Sequence, residues 1–243
     1  MNNQVINNLY ELWEQIGNIT NRISKTNSYT VVSMGDSDWP NRIFNLENNA
    51  ETLSKIVQLS RKENAPEMIT IPKPNDLSGN PNLEFVMAQK NMALDLKLFS
   101  STTTTNPNIK QVVTEENAIS FAETASKSFG YKVDDRVINE ILKNSKNIRL
   151  FTYQENNESL GCGIVFFDSR NNAGLHMIGT LPKGRGKGVG KNMTEHLLME
   201  AKENNAKICV LHASKMGEPI YTKLGFKTYG ELETYRILKE GNN

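Results

Sequence analysis

Cysteine is scarce, with two in 243 residues, Cys162 and Cys209. Each sits in an apolar run, LGCGIVFF and KICVL, with no CxxC spacing and no histidine pair nearby. That argues against a zinc site, so no metal is expected, and reads as two reduced core thiols in a cytoplasmic protein. Excess charge of one sign is also missing: 28 basic against 27 acidic residues leave a net charge of +1. Bulk electrostatic attachment to nucleic acid or to a membrane is therefore not expected, although a local basic patch remains open. No apolar stretch is long enough to span a bilayer, and the opening MNNQVINNLYELW has no basic segment ahead of an apolar one, so no signal peptide is expected. What is present is ordinary: 37% apolar and 23% charged residues, enough for a core, in a length that suits one large or two small domains.

The segment LKLFSSTTTTNPNIKQ, residues 96–111, has no core pattern and reads as a linker or an extended crossing strand. A boundary near Asn106 divides an N-terminal α/β domain, 1–105, from a second domain, 106–243. The first opens with a helix whose Val5, Leu9, Leu12, Ile16, Ile19 and Ile23 share one face. A strand YTVVSM, a helix AETLSKIVQLSRKE, a strand EMITIP and an apolar run LEFVMAQKNMALDLKLF follow. This half shows no catalytic spacing; GDSDWPNR, with two acids, a Trp and an Arg, reads either as a pocket wall or as a solvated turn. The second half reads as two helices, NAISFAETASKSFG and DDRVINEILKNS, the latter capped by Asp134 or Asp135. Three strands, IRLFTYQ, SLGCGIVFFD and NAGLHMIGTLP, come next, joined by polar turns that predict antiparallel pairing. A helix GKNMTEHLLMEAKEN, a strand KICVLHA, a short helix GEPIYTKLG and a last strand TYGELETYRIL complete a mixed, largely antiparallel α/β sheet flanked by helices.

Between the third of those strands and the helix after it, PKGRGKGVGK places four glycines and four basic residues in ten positions. Glycine lets backbone approach an anion closely, and a helix start offers unpaired N–H groups and partial positive charge. The loop therefore reads as a phosphate grip. A Walker A loop fails, because Arg185 stands where its first Gly belongs and Asn192 where its Ser/Thr belongs. A GxGxxG dinucleotide loop fails too, since its third glycine would fall on Val189 or Lys191. The spacing that fits is R-x-x-G-x-G: Arg185, Gly188 and Gly190.

That motif, after an apolar strand and before an amphipathic helix, resembles the coenzyme A loop of the GCN5-related N-acetyltransferases (GNAT). LHASKMGEPIYTKLGF, residues 211–226, is similar to the family's closing motif of a strand, a small polar residue, a short helix carrying Tyr, and Leu-Gly-Phe. The resemblance covers roughly residues 108–240. It implies the GNAT fold, acetyl-CoA as cosubstrate, and acetyl transfer by direct attack of a primary amine, the acceptor being a small molecule or a peptide. The pyrophosphate would sit on the amides of Gly186, Lys187, Gly188, Val189, Gly190 and Lys191, with Arg185 completing the motif. The pantetheine arm would pair with the backbone of Ile178, Gly179 and Thr180, and the resemblance implies a bulged strand at Gly179. Ser214 stands where the family often has Asn for a contact to that arm. Tyr221 matches the family's tyrosine that protonates the leaving thiolate.

No residue declares itself as the base. His176, with a suitable pKa, is one candidate, grouped by strand alternation with Ile178 and Thr180; a structural histidine is an equal reading. His212, a carboxylate and water are others. The acceptor pocket is expected from SKSFGYKVDD, with Phe129 and Tyr131, facing the N-terminal half. That half reads as a degenerate copy of the same fold without its own coenzyme, or as a dimerisation or substrate-shaping domain. Monomer and homodimer both stay open. The competing function is a non-catalytic acetyl-CoA-binding module; a nucleotide-binding protein is strained by both failed spacings.

Overall fold

The structure, a computed structural model, describes residues 1–61, 65–73, 77–100 and 106–238. Most of the hydroxyl-rich run expected to link the halves, and the last residues of the helix read at 50–63, lie outside them.

The first helix, α1 (Asn2–Ile19), buries Val5, Leu9, Leu12 and Ile16 as its spacing requires. Two short strands, β1 (Ile23–Lys25) and β2 (Thr30–Val32), pair antiparallel with each other, and β2 with β3 (Arg42–Phe44). Helix α2 (Ala50–Ser60) is capped by Asn49, whose side chain accepts from Thr52 N. Two more strands close the first half, β4 (Met68–Pro72) and β5 (Leu83–Asp95). The second half holds β6 (Ile109–Gln111), α3 (Glu115–Phe129), α4 (Asp135–Asn144), β7 (Ile148–Glu155), β8 (Glu158–Phe167) and β9 (Ala173–Thr180). After them come α5 (Val189–Glu203), β10 (Ile208–Ala213), α6 (Glu218–Lys223) and β11 (Lys227–Ile237). Asp134 is the α4 cap, accepting from Arg136 N at 2.9 Å.

These strands form one sheet in the order β1-β2-β3-β4-β11-β5-β10-β9-β8-β7-β6. Among the described residues only β3/β4 and β9/β10 run parallel; the other pairs are antiparallel. The expected boundary falls between β5 and β6, yet β5 lies in the middle of the sheet, between β10 and β11.

Strand alternation gives the sheet two apolar faces. In β8, Cys162, Ile164 and Phe166 join the core under α1, α3 and α4, while Val165 and Phe167 join the core under α5. Gly163 lets α5 settle closely, since a methyl there would lie 2.8 Å from Met193 Cγ. In β3, Phe44 packs on the α1 face and Ile43 joins Ile56 and Val57 of α2.

Candidate functional site

The pairing of β9 with β10 stops at Leu175↔Leu211, whereas β10 continues along β5 to Ala213. His176, Gly179 and Thr180 of β9 keep partners on β8, Met177 and Ile178 fall in a break of that register, and none of residues 176–180 pairs on the β10 side. The sheet thus opens into a V with one side of a strand's backbone unpaired. The cause of the splay is local. Met177 has φ 50, and the β8/β9 register shifts between Cys162 and Ile164, which marks a β-bulge. Cys162 Sγ donates to the Met177 carbonyl at 3.3 Å, bracing the bulge from beneath.

The bulge changes which side chains share a face. His176 and Met177 both point to the α1 face, while Ile178 joins the core under α5 and Thr180 Oγ1 approaches Gly190. Simple alternation grouped His176 with Ile178 and Thr180; the extra residue separates them. His176 is buried, and its Nε2 lies 2.9 Å from Asn8 Oδ1. Asn8 in turn donates to Asp168 Oδ2 at 3.0 Å. Burial, and then the nearby His212, push the His176 pKa down to about 3. His212 faces Asn91 Oδ1 at 2.8 Å and the Val5 carbonyl at 3.3 Å, and burial pushes its pKa down to about 4.

The glycine loop lies beyond the open end of the V. It begins with a single 3₁₀ turn, Pro182–Gly184, and ends at Gly188, the residue capping α5. Gly188 has φ 80 and no side chain with which to cap the helix. In this structure α3 is capped by Thr114 and α4 by Asp134, each bonding an amide of the first turn. At α5, among the described residues, the amides of Gly186, Gly188, Val189, Gly190 and Lys191 donate to no protein acceptor; the first helical bond is Asn192 N to Gly188 O, 2.9 Å. Five unbonded amides around a turn beside a helix start form a concave anion cradle. Lys183 and Lys187 reach Glu158 (2.8 Å) and Glu155 (3.4 Å), and Lys191 reaches Glu195 (3.7 Å); Arg185 has no ion-pair partner among the described residues.

Tyr221 sits on α6, just after β10. It shares a cluster with Ile178, Val189 and Ile220, so it faces the V from the α5 side. Its hydroxyl has no hydrogen-bond partner among the described residues, and burial pushes its pKa up to about 12. Ser214 is exposed at the end of β10, where its Oγ and carbonyl accept from Gly217 N at 3.2 and 3.0 Å.

From the α1 face another group of residues approaches the V. Phe129 and Tyr131 stack with ring centroids 5.6 Å apart, and Tyr131 Oη lies 3.6 Å from Met177 Sδ. The residues 35–42 cover them: Asp38 N donates to the Lys132 carbonyl at 2.8 Å, Lys132 N to Asp38 Oδ2 at 2.7 Å, and Asp134 N to Ser37 Oγ at 3.1 Å. GDSDWPNR is therefore a wall against the α3–α4 connection. Ser128 Oγ is buried with no partner among the described residues, and a methyl on Gly179 would lie 2.8 Å from Ser128 Cβ. Sequence reasoning did not single out Ser128; it is one of many serines, and only its orphaned hydroxyl beside an unpaired strand distinguishes it.

These observations fit coenzyme A. The loop's amides and cations could hold a pyrophosphate, and the open side of β9 has free backbone groups that could take the two amides of a pantetheine arm. Among the described residues, no group of three or more His, Cys, Asp or Glu side chains could hold a metal ion, and no helix is long and apolar enough to cross a membrane.

Comparison with known proteins agrees with this geometry. A family model described as an acetyltransferase (GNAT) domain matches residues 110–236. No curated protein matches the chain. Among solved structures, a protein named as a GNAT-family acetyltransferase from Novosphingobium aromaticivorans superimposes with a TM-score of 0.65 at 11% identity, covering 95% of this chain and 97% of that one. A GCN5-related N-acetyltransferase from Kribbella flavida gives 0.65 at 12% identity, covering 93% of each chain. One from Sphaerobacter thermophilus gives 0.61 at 13%, covering 89% of this chain and 78% of that one. At these identities the likeness is one of fold.

Proposed function

The chain belongs to the GNAT acetyltransferase family, and from that premise we propose that it moves the acetyl group of acetyl-CoA directly to a primary amine held between the α3–α4 connection and the first half of the chain. The observation that carries this reading is the pairing of five unbonded amides at the start of α5 with the unpaired side of β9. A flexible basic turn accounts for the first and not for the second.

In this reading the amides of Gly186, Gly188, Val189, Gly190 and Lys191, with Arg185 and the Lys187 side chain, hold the pyrophosphate; the Lys187 amide, expected to join them, is bonded to the Gly184 carbonyl at 3.3 Å. Ile178, Gly179 and Thr180 bind the pantetheine arm through backbone groups, and the Ser214 hydroxyl, whose oxygen is already an acceptor, turns its proton toward that arm. The acetyl group then lies beside the Met177 bulge, open to the α1 face. The amine's lone pair forms the new N–C bond, the C–S bond breaks, and its electron pair leaves on sulfur. An N–H near Ile178 receives the developing oxyanion.

Tyr221 faces the sulfur. A phenol held near 12 stays protonated at neutral pH, but it is a weaker acid than a thiol of pKa about 8.5. Its role is therefore a hydrogen bond to the departing thiolate, whose proton comes from solvent. His176 is too weak a base for an ammonium ion and is committed to Asn8; we assign it to holding α1 against β9. The ammonium's excess proton goes to water on the acceptor side.

Thiol release from acetyl-CoA with a panel of amines tests the proposal, with Tyr221→Phe beside the wild type. A lost hydrogen bond to a charged atom predicts a fall in kcat of about 10- to 100-fold, with acetyl-CoA affinity unchanged. Tight coenzyme binding without turnover on any amine would instead favour a regulatory module.

A further inference from the structure

Arg42, in the segment 35–42 that covers the α3–α4 connection, is a half-buried cation that makes no ion pair among the described residues. Strand alternation sets it on the α1 face: Phe44 and the cross-strand partner Val32 both pack there, and Ile43 between them faces α2. Met34, Trp39, Phe129, Tyr131 and Met177 share that core. Its guanidinium makes one hydrogen bond among the described residues, Nη1 to the Asn41 carbonyl at 3.0 Å, and no ion pair. A guanidinium has five N–H donors, so most of its capacity is unused. Asp36 and Asp134 pair with Arg136 at 3.0 and 2.6 Å, and Asp38, whose Oδ2 accepts from Lys132 N, lies near Arg42 without forming an ion pair with it. Arg42 is largely withdrawn from water, which pushes its pKa down, while Tyr131 and Asp38 lie near enough to act on its charge. Tyr131 also touches Met177 at the bulge.

We propose that Arg42 anchors a carboxylate on the acceptor, so that the substrate class is amino acids and close amino-carboxylate analogues. The planar fork suits a carboxylate bidentately, and partial desolvation strengthens such a pair. The carboxylate would rest on Arg42, the side chain against Tyr131 and Trp39, and the amine toward Met177 and Ile178. This rests on the acetyl-transfer reading above and adds to it the selection of the acceptor by the first half of the chain.

The test compares the twenty common amino acids, their α-amides and the corresponding decarboxylated amines as acceptors, for the wild type, Arg42→Gln and Arg42→Lys. The expected result is preference for the free carboxylate, lost in Arg42→Gln by about 10- to 100-fold in kcat/KM, mostly through KM. Acetyl-CoA affinity and turnover of the decarboxylated amines stay within twofold, and Arg42→Lys recovers part of the loss. Equal use of acids, amides and amines by the wild type would overturn the inference and leave the acetyltransferase reading intact, as would a parallel loss on all three classes in Arg42→Gln. If no amine is acetylated, the acetyltransferase reading fails, and calorimetry of the coenzyme A-saturated protein with the same amino acids decides the anchor by itself. Binding by the wild type and none by Arg42→Gln supports it; no binding by either overturns it.

Discussion

Lowering the pH from 7 to 5 should cost this protein much of its stability, and the cause is its histidines. His176 and His212 are held well below the ordinary histidine range, at about 3 and about 4, mainly by burial. In the unfolded chain both titrate near 6.5. As the pH falls below that value, the unfolded state takes up protons that the folded state refuses. The stabilisation is complete above about 6.5 and is lost progressively on acidification until the folded pKa values are reached. At about 1.4 kcal/mol per unit, each group costs about 2 kcal/mol between pH 7 and 5, so the pair costs about 4 kcal/mol. His196, also lowered by burial, adds in the same direction. Domains of ordinary stability hold about 5–15 kcal/mol, so a loss of this size is large. The window is clean, because carboxylates titrate mostly below it. Urea unfolding at pH 7, 6 and 5, followed by the fluorescence of the buried Trp13 and Trp39, measures the slope. His176→Gln and His212→Gln should each remove about half of the pair's share. Equal stability at pH 7 and 5, or a His176→Gln/His212→Gln double variant that keeps the full slope, would refute the argument.

Other substitutions separate folding from binding. Gly188→Val forces a β-branched residue to φ 80; it should lower stability by about 1–2 kcal/mol and raise the Kd for acetyl-CoA in calorimetry, whereas Gly188→Asn, tolerant of that region, should do neither strongly. A methyl on Gly161 would lie 2.6 Å from Val189 Cγ1 and 2.9 Å from the Gly179 carbonyl, so Gly161→Ala should cost about 1–3 kcal/mol in urea unfolding and weaken acetyl-CoA binding by pushing β9 and α5 apart. Asp134→Ala removes the α4 cap and should cost about 1 kcal/mol. The hydrogen bond from Arg136 is the main cause holding Asp134 at about 2, so this difference should stay constant from pH 7 to 5 and shrink as the pH drops below about 4. Finally, kcat/KM for the preferred amine should rise with pH toward that amine's own pKa, with no inflection between 6 and 7; a histidine-like inflection would return the proton to a protein base.

The elements of the second half could be read from the chain because each is periodic and ends on a polar turn or a cap; Asp134, one of two acids offered as the α4 cap, takes that place. Strands β1 and β3, three residues each, are too short for any period to show. β5 was legible only as an apolar run, because Phe85, Val86 and Met87 are exposed in succession while residues 91–94 are buried in succession. Neither stretch alternates. In the site, the glycine loop was legible because the unbonded amides it presents belong to adjacent residues. The bulge was legible only through the family resemblance, at Gly179; nothing in GLHMIGT announces a methionine at φ 50, and that one residue decides that Ile178 and Thr180 leave the face of His176. Arg42 stood in a quoted motif, but its meaning depends on Tyr131 and Met177, brought to it by the packing of 35–42 on the α3–α4 connection.

The place of β5 also restricts how such a gene can be shuffled. A segment starting at β6 would encode the loop, the tyrosine and both arms of the V, yet it would leave β10 and β11 without the strand between them. Six residue pairs with β10 and ten with β11 would be forfeited. The exposed edges would accept any stray strand, a route to aggregation. Recombination that preserves a working fold must therefore carry both halves together. On the acceptor anchor proposed for Arg42, donor chemistry and acceptor choice are then inherited as one piece, and a new specificity would arise by substitution in 35–42 rather than by exchange of the segment that contains it.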